Sequence, residues 1–212
     1  MYCRCGSIHR ARQLFDQLLP SIDHVTYSTL MKTYLSLDQP VEVLQLFNQF
    51  QVSSIPSDAF FYLNIINAGN QLGLMHQAKL IHRSIPEQMI EKNFSLQTNL
   101  IDMHAHCGQL DEAYRLFDLL KQKDNHSLAN LLHGYALQGQ GKQALKIYRE
   151  HQSQLKFNEE VYRSILQALT LTGGLVQEAR AIYQTIPDVH KTSEVVTTMV
   201  RLTPDEDLSE IG

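Results

Sequence analysis

The stretch LIDMHAHCGQLDEAYRLFD, residues 100–118, decides the fold of this chain. In it Ala113 is followed by Leu116 and Phe117, and this spacing places the three side chains on one face of a helix. The apolar segment NLIDMHA, which begins at Asn99, predicts an earlier helix, and Gly108 lies between the two. Glycine between two periodic segments is typical of a turn. The stretch therefore predicts a helix, a turn and a second helix.

The same signature of a small residue, an aliphatic residue and an aromatic residue or histidine recurs along the chain. Successive copies are 32, 35, 35, 31 and 35 residues apart, and they begin at Ala11, Val43, Ala78, Ala113, Ala144 and Ala179. A small residue on a helix face lets a neighbouring helix approach closely. Self-similarity at such a period indicates stacked two-helix repeats, each burying its apolar face against the next.

A longer period is superimposed on the first. MYCRCGSIHRARQLFD at Met1 aligns with MHAHCGQLDEAYRLFD at Met103, so that units of 35, 35 and 31 residues form a larger repeat. Because Met1 falls inside a unit whose first helix is missing, we expect the chain to be a piece of a longer protein. We predict an all-α fold, a right-handed α-solenoid of helix-turn-helix repeats, with these parts: a truncated repeat over 1–23, repeats over 24–58, 59–93, 94–124 and 125–158, a degenerate repeat over 159–190, and a helical remnant with an acidic tail over 191–212.

Composition and short motifs restrict the possible functions. The formal net charge of −4 argues against a polybasic nucleic-acid binder. The three cysteines, Cys3, Cys5 and Cys107, are too few and odd in number for a disulfide framework, and they favour a reducing compartment. His104-x-His106-Cys107 lacks a second pair of ligands at zinc spacing. We therefore predict no metal, no cofactor and no catalytic residues, and the chain is not expected to be an enzyme.

The chain resembles pentatricopeptide repeat proteins over residues 1–186. The resemblance rests on LIDMHAHCGQLDEAYRLFD at Leu100, VTYSTLMKTY at Val25 and HGYALQGQGKQALKIYRE at His133. The alternation of long and short units resembles the mixed long-and-short subclass, known from organellar RNA processing. Tetratricopeptide repeats, with a unit of about 34 residues, are the nearest alternative. They place a second small residue where this chain has Phe50, Leu120 and His151, which favours the pentatricopeptide family.

The resemblance implies that single-stranded RNA is the partner, with one nucleotide bound by each repeat. A residue in the first turn of the first helix and the last residue of the repeat read the base edge, and a neighbouring residue wedges between bases. The reading pairs are Ser28 with Asp58, Leu63 with Asn93, Thr98 with Asp124, and Ala129 with Asn158. The wedge residues are Val25, Phe60, Ser95 and His126.

The predicted pairs differ in chemistry along the chain. A small hydroxyl with an aspartate is the family pair for guanine, and Ser28/Asp58 and Thr98/Asp124 fit it. Leu63 and Ala129 cannot form side-chain hydrogen bonds, so the resemblance implies the preference G-N-G-N, where N is any base. In the last repeat Arg163 and Glu160 depart from the family pattern. Aspartate and serine also suit helix N-caps, so both roles stay open for Asp58 and Asp124.

The resemblance further implies a monomer that acts with other RNA-processing proteins and away from membranes. It also implies a mitochondrial location, with the cytoplasm as the alternative. A second function remains open, a protein-interaction scaffold of the tetratricopeptide-like kind. The acidic net charge and the irregular reading positions favour this scaffold.

Overall fold

The computed structural model describes residues 8–18, 22–51 and 56–202. Across these residues the regular elements are helices, and no strand is present. A 3-10 turn at Asp188–His190 precedes the last of the α-helices. The α-helices are α1 (Ile8–Leu18), α2 (His24–Ser36), α3 (Pro40–Gln51), α4 (Ala59–Leu72), α5 (Met75–Ser84), α6 (Glu87–Lys92), α7 (Phe94–His106), α8 (Leu110–Asp118), α9 (Asn125–Leu137), α10 (Gly141–His151), α11 (Glu159–Thr172), α12 (Val176–Thr185) and α13 (Ser193–Leu202).

Local sequence fixes where the first helix of each unit begins. A side-chain oxygen of Asp58 accepts a hydrogen bond from the Phe61 N–H at 2.8 Å, which satisfies one of the four unpaired N–H groups at a helix start. Equivalent caps stand before α2, α7, α9 and α11, and their residues are Asp23, Asn93, Asp124 and Asn158. The five caps recur because each unit ends on an aspartate or asparagine.

The turn between the two helices of a unit requires a left-handed backbone. Each turn contains a residue with a positive φ of 54° to 74°, namely Asp38, Gly73, Gly108, Gly139 and Gly173, and the last turn has Gly174 at 72° in addition. Four of these five residues are glycine, which adopts this conformation without steric cost. Aspartate is among the residues that tolerate it best after glycine, which explains Asp38. The breakers identified in the sequence therefore end the first helices.

The signature residues of the second helices form much of the core. Val43, Ala78, Ala113, Ala144 and Ala179 are fully buried. The aromatic members Phe47, Phe117, Tyr148 and Tyr183 are buried with them. The small residue leaves room for the neighbouring helix, and the larger residues fill the space beside it.

The chain divides into two compact units between Met103 and His104. In the first unit α2 packs against α3 and α4, and α4 packs against α3 and α5. In the second unit α9 packs against α8, α10 and α11, and α11 in turn contacts α10, α12 and α13. Three first helices, α2, α9 and α11, thus each contact their own second helix and the first helix that follows in the same unit. α13 occupies against α11 the place that α11 occupies against α9.

Two glycines in the second unit lie where a neighbouring helix comes too close for a Cβ atom. A Cβ added to Gly134 on α9 would lie 2.5 Å from the Cβ and 2.9 Å from the Cα of Ala105. At Gly141 the N–H donates to the Thr172 hydroxyl at 2.7 Å, and an added Cβ would lie 2.3 Å from that oxygen. These contacts fix the spacing of α9 and α11 against their neighbours.

Candidate nucleic-acid interface

The four predicted wedge residues lie at the protein surface. Each is the second residue of a first helix, in α2, α4, α7 and α9 respectively. Val25 is 55% exposed and Phe60 48% exposed, and Ser95 and His126 are also exposed. Large apolar side chains such as Val25 and Phe60 are normally withdrawn from water when a core position is near. At these places they present apolar surface to the solvent.

The predicted first-turn readers lie deeper than the wedge residues. Ser28, Thr98 and Ala129 are buried, and Leu63 is half-buried. The Thr98 hydroxyl donates to the Ser95 carbonyl oxygen at 3.2 Å. The Ser28 Oγ is buried and has no hydrogen-bond partner. Because Ser28 is only 3% exposed, a base can reach its hydroxyl only after neighbouring side chains move.

The predicted last-residue readers cap the helices that follow them. Asp58 uses Oδ1 for its cap, while its Oδ2 lies 3.7 Å from His24 Nε2. Asp124 uses Oδ1 for both the N–H and the hydroxyl of Ser127, at 2.8 and 2.6 Å. In each carboxylate one oxygen holds the cap and the other can accept a hydrogen bond from a base. Capping and base contact are therefore compatible at Asp58 and Asp124.

Asn93 and Asn158 cap in the same way. Their Oδ1 atoms accept from Leu96 N at 3.1 Å and from Val161 N at 3.2 Å. Each cap leaves the side-chain NH2 group, a hydrogen-bond donor, for another partner. The last residues thus present acceptors in two repeats and donors in the other two.

The hydrogen bonds at a cap also change the pKa of the capping carboxylate. Hydrogen bonds from the hydroxyl and then from the N–H of Thr26 hold the pKa of Asp23 below its ordinary value. Both bonds favour the charged form because the donors face the carboxylate. The charged cap is the form that stabilises the start of α2.

The two compact units contain different predicted reading pairs. Ser28 and Asp58 lie in the first unit with Leu63 and Asn93, and Ala129 and Asn158 lie in the second. Thr98 belongs to the first unit and Asp124 to the second. Three of the four pairs are therefore each contained in a single unit.

The structure adds side-chain contacts near the interface, and three of the residues that form them, Lys32, His133 and Gln167, were not selected by the sequence analysis. His126 Nδ1 lies 3.0 Å from a Glu160 carboxylate oxygen, and His133 Nδ1 lies 3.2 Å from Gln167 Oε1. Lys32 Nζ lies 5.9 Å from the centre of the Phe60 ring. These residues could have been found from their position in the repeat, because Lys32, His133 and Gln167 are each the ninth residue of a first helix.

The histidine and cysteine motif has a structural role at two of its positions. His104 is buried, and its Nδ1 lies 2.9 Å from Gln109 Oε1. Cys107 is buried as well, with 6% of its surface exposed. Cys3 and Cys5, like the acidic residues 205–207, lie outside the described residues. Among the described helices, none has the length and apolar character needed to cross a membrane.

Two-helix units that stack first helix against first helix define the class of tandem α-helical repeat proteins. The family model described as "PPR repeat" matches residues 25–55 and 98–125. Over these two segments the chain matches pentatricopeptide repeats. These matched segments contain α2 with α3 and most of α7 with α8.

Curated relatives come from Arabidopsis thaliana. Pentatricopeptide repeat-containing protein At1g11290, chloroplastic, is 29% identical over 82% of this chain. The mitochondrial proteins At3g53360 and At4g31070 are 30% and 32% identical over 91% and 86% of it. The chain spans 21%, 25% and 29% of the lengths of these three relatives.

Solved structures share the fold. The crystal structure of the pentatricopeptide repeat protein PPR10 from maize is 20% identical, with a TM-score of 0.69 over 100% of this chain and 33% of its own. PPR10 in complex with an 18-nt psaJ RNA element gives a TM-score of 0.58 at 17% identity, over 95% of this chain and 35% of its own. The predicted fold class, an all-α solenoid of helix-turn-helix repeats, is confirmed by this similarity.

Proposed function

We propose that this chain binds single-stranded RNA with sequence selectivity, one nucleotide per repeat. The observation that carries the proposal is a juxtaposition repeated at the start of four first helices, α2, α4, α7 and α9. There the exposed second residue of the helix follows the capping aspartate or asparagine by two positions, as Phe60 follows Asp58. A base can stack on the first and hydrogen-bond to the second.

The proposed specificity follows from the chemistry of the last residues. A carboxylate oxygen of Asp58 or Asp124 accepts from the N–H groups of a guanine edge, while Leu63 and Ala129 contribute no side-chain hydrogen bond. The preferred sequence is therefore G-N-G-N. The Ser28 hydroxyl, buried and without a partner, is a group that a bound guanine would satisfy after local side-chain movement.

The proposed biological setting is the processing, editing or stability of organellar transcripts. Two of the relatives carry mitochondrial in their names and one carries chloroplastic, and PPR10 has been crystallised with RNA. The two mitochondrial names support a mitochondrial location for this chain, and the alternation of long and short units supports the mixed long-and-short subclass. We propose that the chain acts as a monomer beside other RNA-processing proteins.

The test is fluorescence anisotropy with short RNAs of the sequence G-N-G-N or A-N-A-N at one fixed salt concentration. The unaltered chain should bind the guanine RNA more tightly. The double variant Asp58→Asn with Asp124→Asn should move the preference toward adenine. Asparagine caps a helix about as well as aspartate, so this variant changes base contacts while it keeps the fold.

A matched control removes two carboxylates elsewhere. Asp118 and Asp188 have side chains that are 73% and 96% exposed, and Asp118→Asn with Asp188→Asn makes the same change in net charge. This control should retain the guanine preference. Equal weak binding of every RNA by all three proteins would refute base reading in this register and leave the protein-interaction scaffold as the better account.

A further inference from the structure

A groove of about 380 Å3 lies between α11 and α13, on the side where the first helices of the second unit carry His126 and Glu160. From α11 it is lined by one helical stripe at spacings of four, three and one, formed by Arg163, Gln167, Thr170 and Leu171. α13 contributes a stripe that runs from Ser193 to Arg201. Its volume lies within the range of small-ligand sites in proteins.

The groove carries more positive than negative charge. Arg163 and Arg201 are its two cations and Glu194 is its one anion. Arg163 Nη1 lies 3.0 Å from Glu194 Oε2, with side chains that are 45% and 63% exposed. Because so exposed an ion pair contributes little to stability, Arg163 can exchange Glu194 for another anion at small cost.

The hydrogen-bonding groups of the groove suit a ligand rich in acceptors. The hydroxyls of Thr170, Thr197 and Thr198 donate to carbonyl oxygens of their own helices at 2.6 to 2.8 Å. The Gln167 Oε1 faces His133, so the amide NH2 is the group that remains for a ligand. The donors offered to a ligand thus include two guanidinium groups and one amide. The guanidinium fork matches the oxygens of a phosphate.

Arg163 stands where the preceding repeat has a base reader. It is the fifth residue of α11, as the buried Ala129 is the fifth residue of α9. Unlike Ala129, Arg163 is exposed and extends over the groove toward α13. The residue at the wedge position of α11 is Glu160, an anion held by His126, which is a poor surface for stacking a base. In the last repeat, charged side chains therefore occupy the positions at which the preceding repeats have base-reading and wedge residues.

We propose that Arg163 and Arg201 together bind one phosphate of the single-stranded RNA in this groove. The inference rests on the proposed function and adds to it an anchor for the RNA backbone that is independent of base sequence. On binding, Arg163 leaves Glu194 and donates to the phosphate with Arg201. The repeat over residues 159–190 then contributes affinity and does not select a base.

The experiment measures RNA affinity at several salt concentrations for the unaltered chain and for Arg163→Gln with Arg201→Gln. Binding by the double variant should be about tenfold weaker, by the same factor for guanine and adenine RNAs. The slope of log K against log salt should fall by about 0.7, the value for one phosphate of a single strand. Arg149→Gln with Lys142→Gln, two exposed cations of α10, is the matched control and should change neither quantity.

Two further measurements separate this site from a folding defect and from base reading. Glu194→Gln frees Arg163 and should tighten RNA binding by about two- to fivefold, in the range of an exposed ion pair. RNAs with a single neutral methylphosphonate linkage should reveal one position that weakens binding to the unaltered chain and has no effect on the double arginine variant. A loss that depends on guanine at one position would instead identify Arg163 as a base reader and overturn the proposal.

The failures of the two proposals are distinguishable. If the unaltered chain binds no RNA, the proposed function and the phosphate site fail together. If it binds RNA with a guanine preference that the arginine variants leave unchanged in strength and salt slope, the phosphate site alone is refuted.

Discussion

Gly134→Ala tests whether the close contact between α9 and the end of α7 limits the stability of the second unit. The added Cβ would lie 2.5, 2.9 and 3.1 Å from the Cβ, Cα and carbonyl carbon of Ala105. Carbon atoms in contact are normally 3.5–4.0 Å apart, so the helices must separate by about 1 Å. The obstacle is backbone and a Cβ, which no rotamer change can remove.

The expected change in the free energy of unfolding is the sum of two opposing effects. Replacing glycine by alanine inside a helix stabilises it by about 1 kcal/mol, while overpacking a core costs about 1–3 kcal/mol. Because the obstacle is so near and is partly backbone, the overpacking cost should lie at the upper end of that range. We therefore expect the variant to lose about 1–2 kcal/mol of unfolding free energy. For a chain of this size that loss lowers the Tm by about 2–8 °C.

Thermal and urea unfolding followed by circular dichroism measure the effect, and Gly69→Ala supplies the control. Gly69 lies in the first helix α4, and its added Cβ would meet the side-chain ends Ile81 Cδ1 and Met103 Sδ at 3.0 Å. Such atoms can rotate away, so this variant should be as stable as the original chain or slightly more stable. If Gly134→Ala is as stable as Gly69→Ala, the contact with Ala105 is soft and the reasoning is wrong.

Further predictions concern the surface, a cap and the core. Phe60→Ala should weaken RNA binding by about 1–3 kcal/mol through lost stacking with little change in Tm, whereas Leu80→Ala, an equally exposed apolar residue on α5, should leave binding unchanged in the same anisotropy assay. Asp124→Ala should cost about 1 kcal/mol in urea unfolding because the cap of α9 is lost, while Asp124→Asn should cost much less; equal losses would argue against the cap. Burial, and to a smaller extent Tyr162, raises the pKa of Tyr148 well above its ordinary value of 10.0, so the stability from neutral Tyr148 is complete below pH 10 and is lost as the pH rises above it. Tyr148→Phe should therefore move the alkaline unfolding midpoint, followed by circular dichroism, to higher pH, and an unchanged midpoint would show that another group controls it.

Much of the candidate interface was predictable because its parts are local. Asp58 and Asp124 lie directly before a first helix, and a capping residue needs only its own next three residues. The wedge residues were predictable for the same reason, since their place in the helix fixes the face they occupy. The burial of Ser28 was not predictable, because it depends on how closely α4 packs against α2.

The sequence by itself determined the repeat, the two-helix unit and the turns. The evidence was periodic: Ala113 and its equivalents at near-constant spacing, glycine or aspartate in each turn, and a cap before each first helix. These features act over one or two helical turns, so they can be read from neighbouring residues. The sequence also predicted a helical remnant over residues 191–212, and α13 (Ser193–Leu202) lies within that range.

The tertiary structure alone decided which side chains meet across repeats. The contact of Gly134 with Ala105, the pairing of His126 with Glu160 and the groove between Arg163 and Arg201 join residues that are 29 to 38 positions apart. Their geometry depends on the distance and angle between stacked helices, which the summed packing of many buried side chains sets. That packing cannot be read from any local pattern, and it decides whether Arg163 and Arg201 line a single groove.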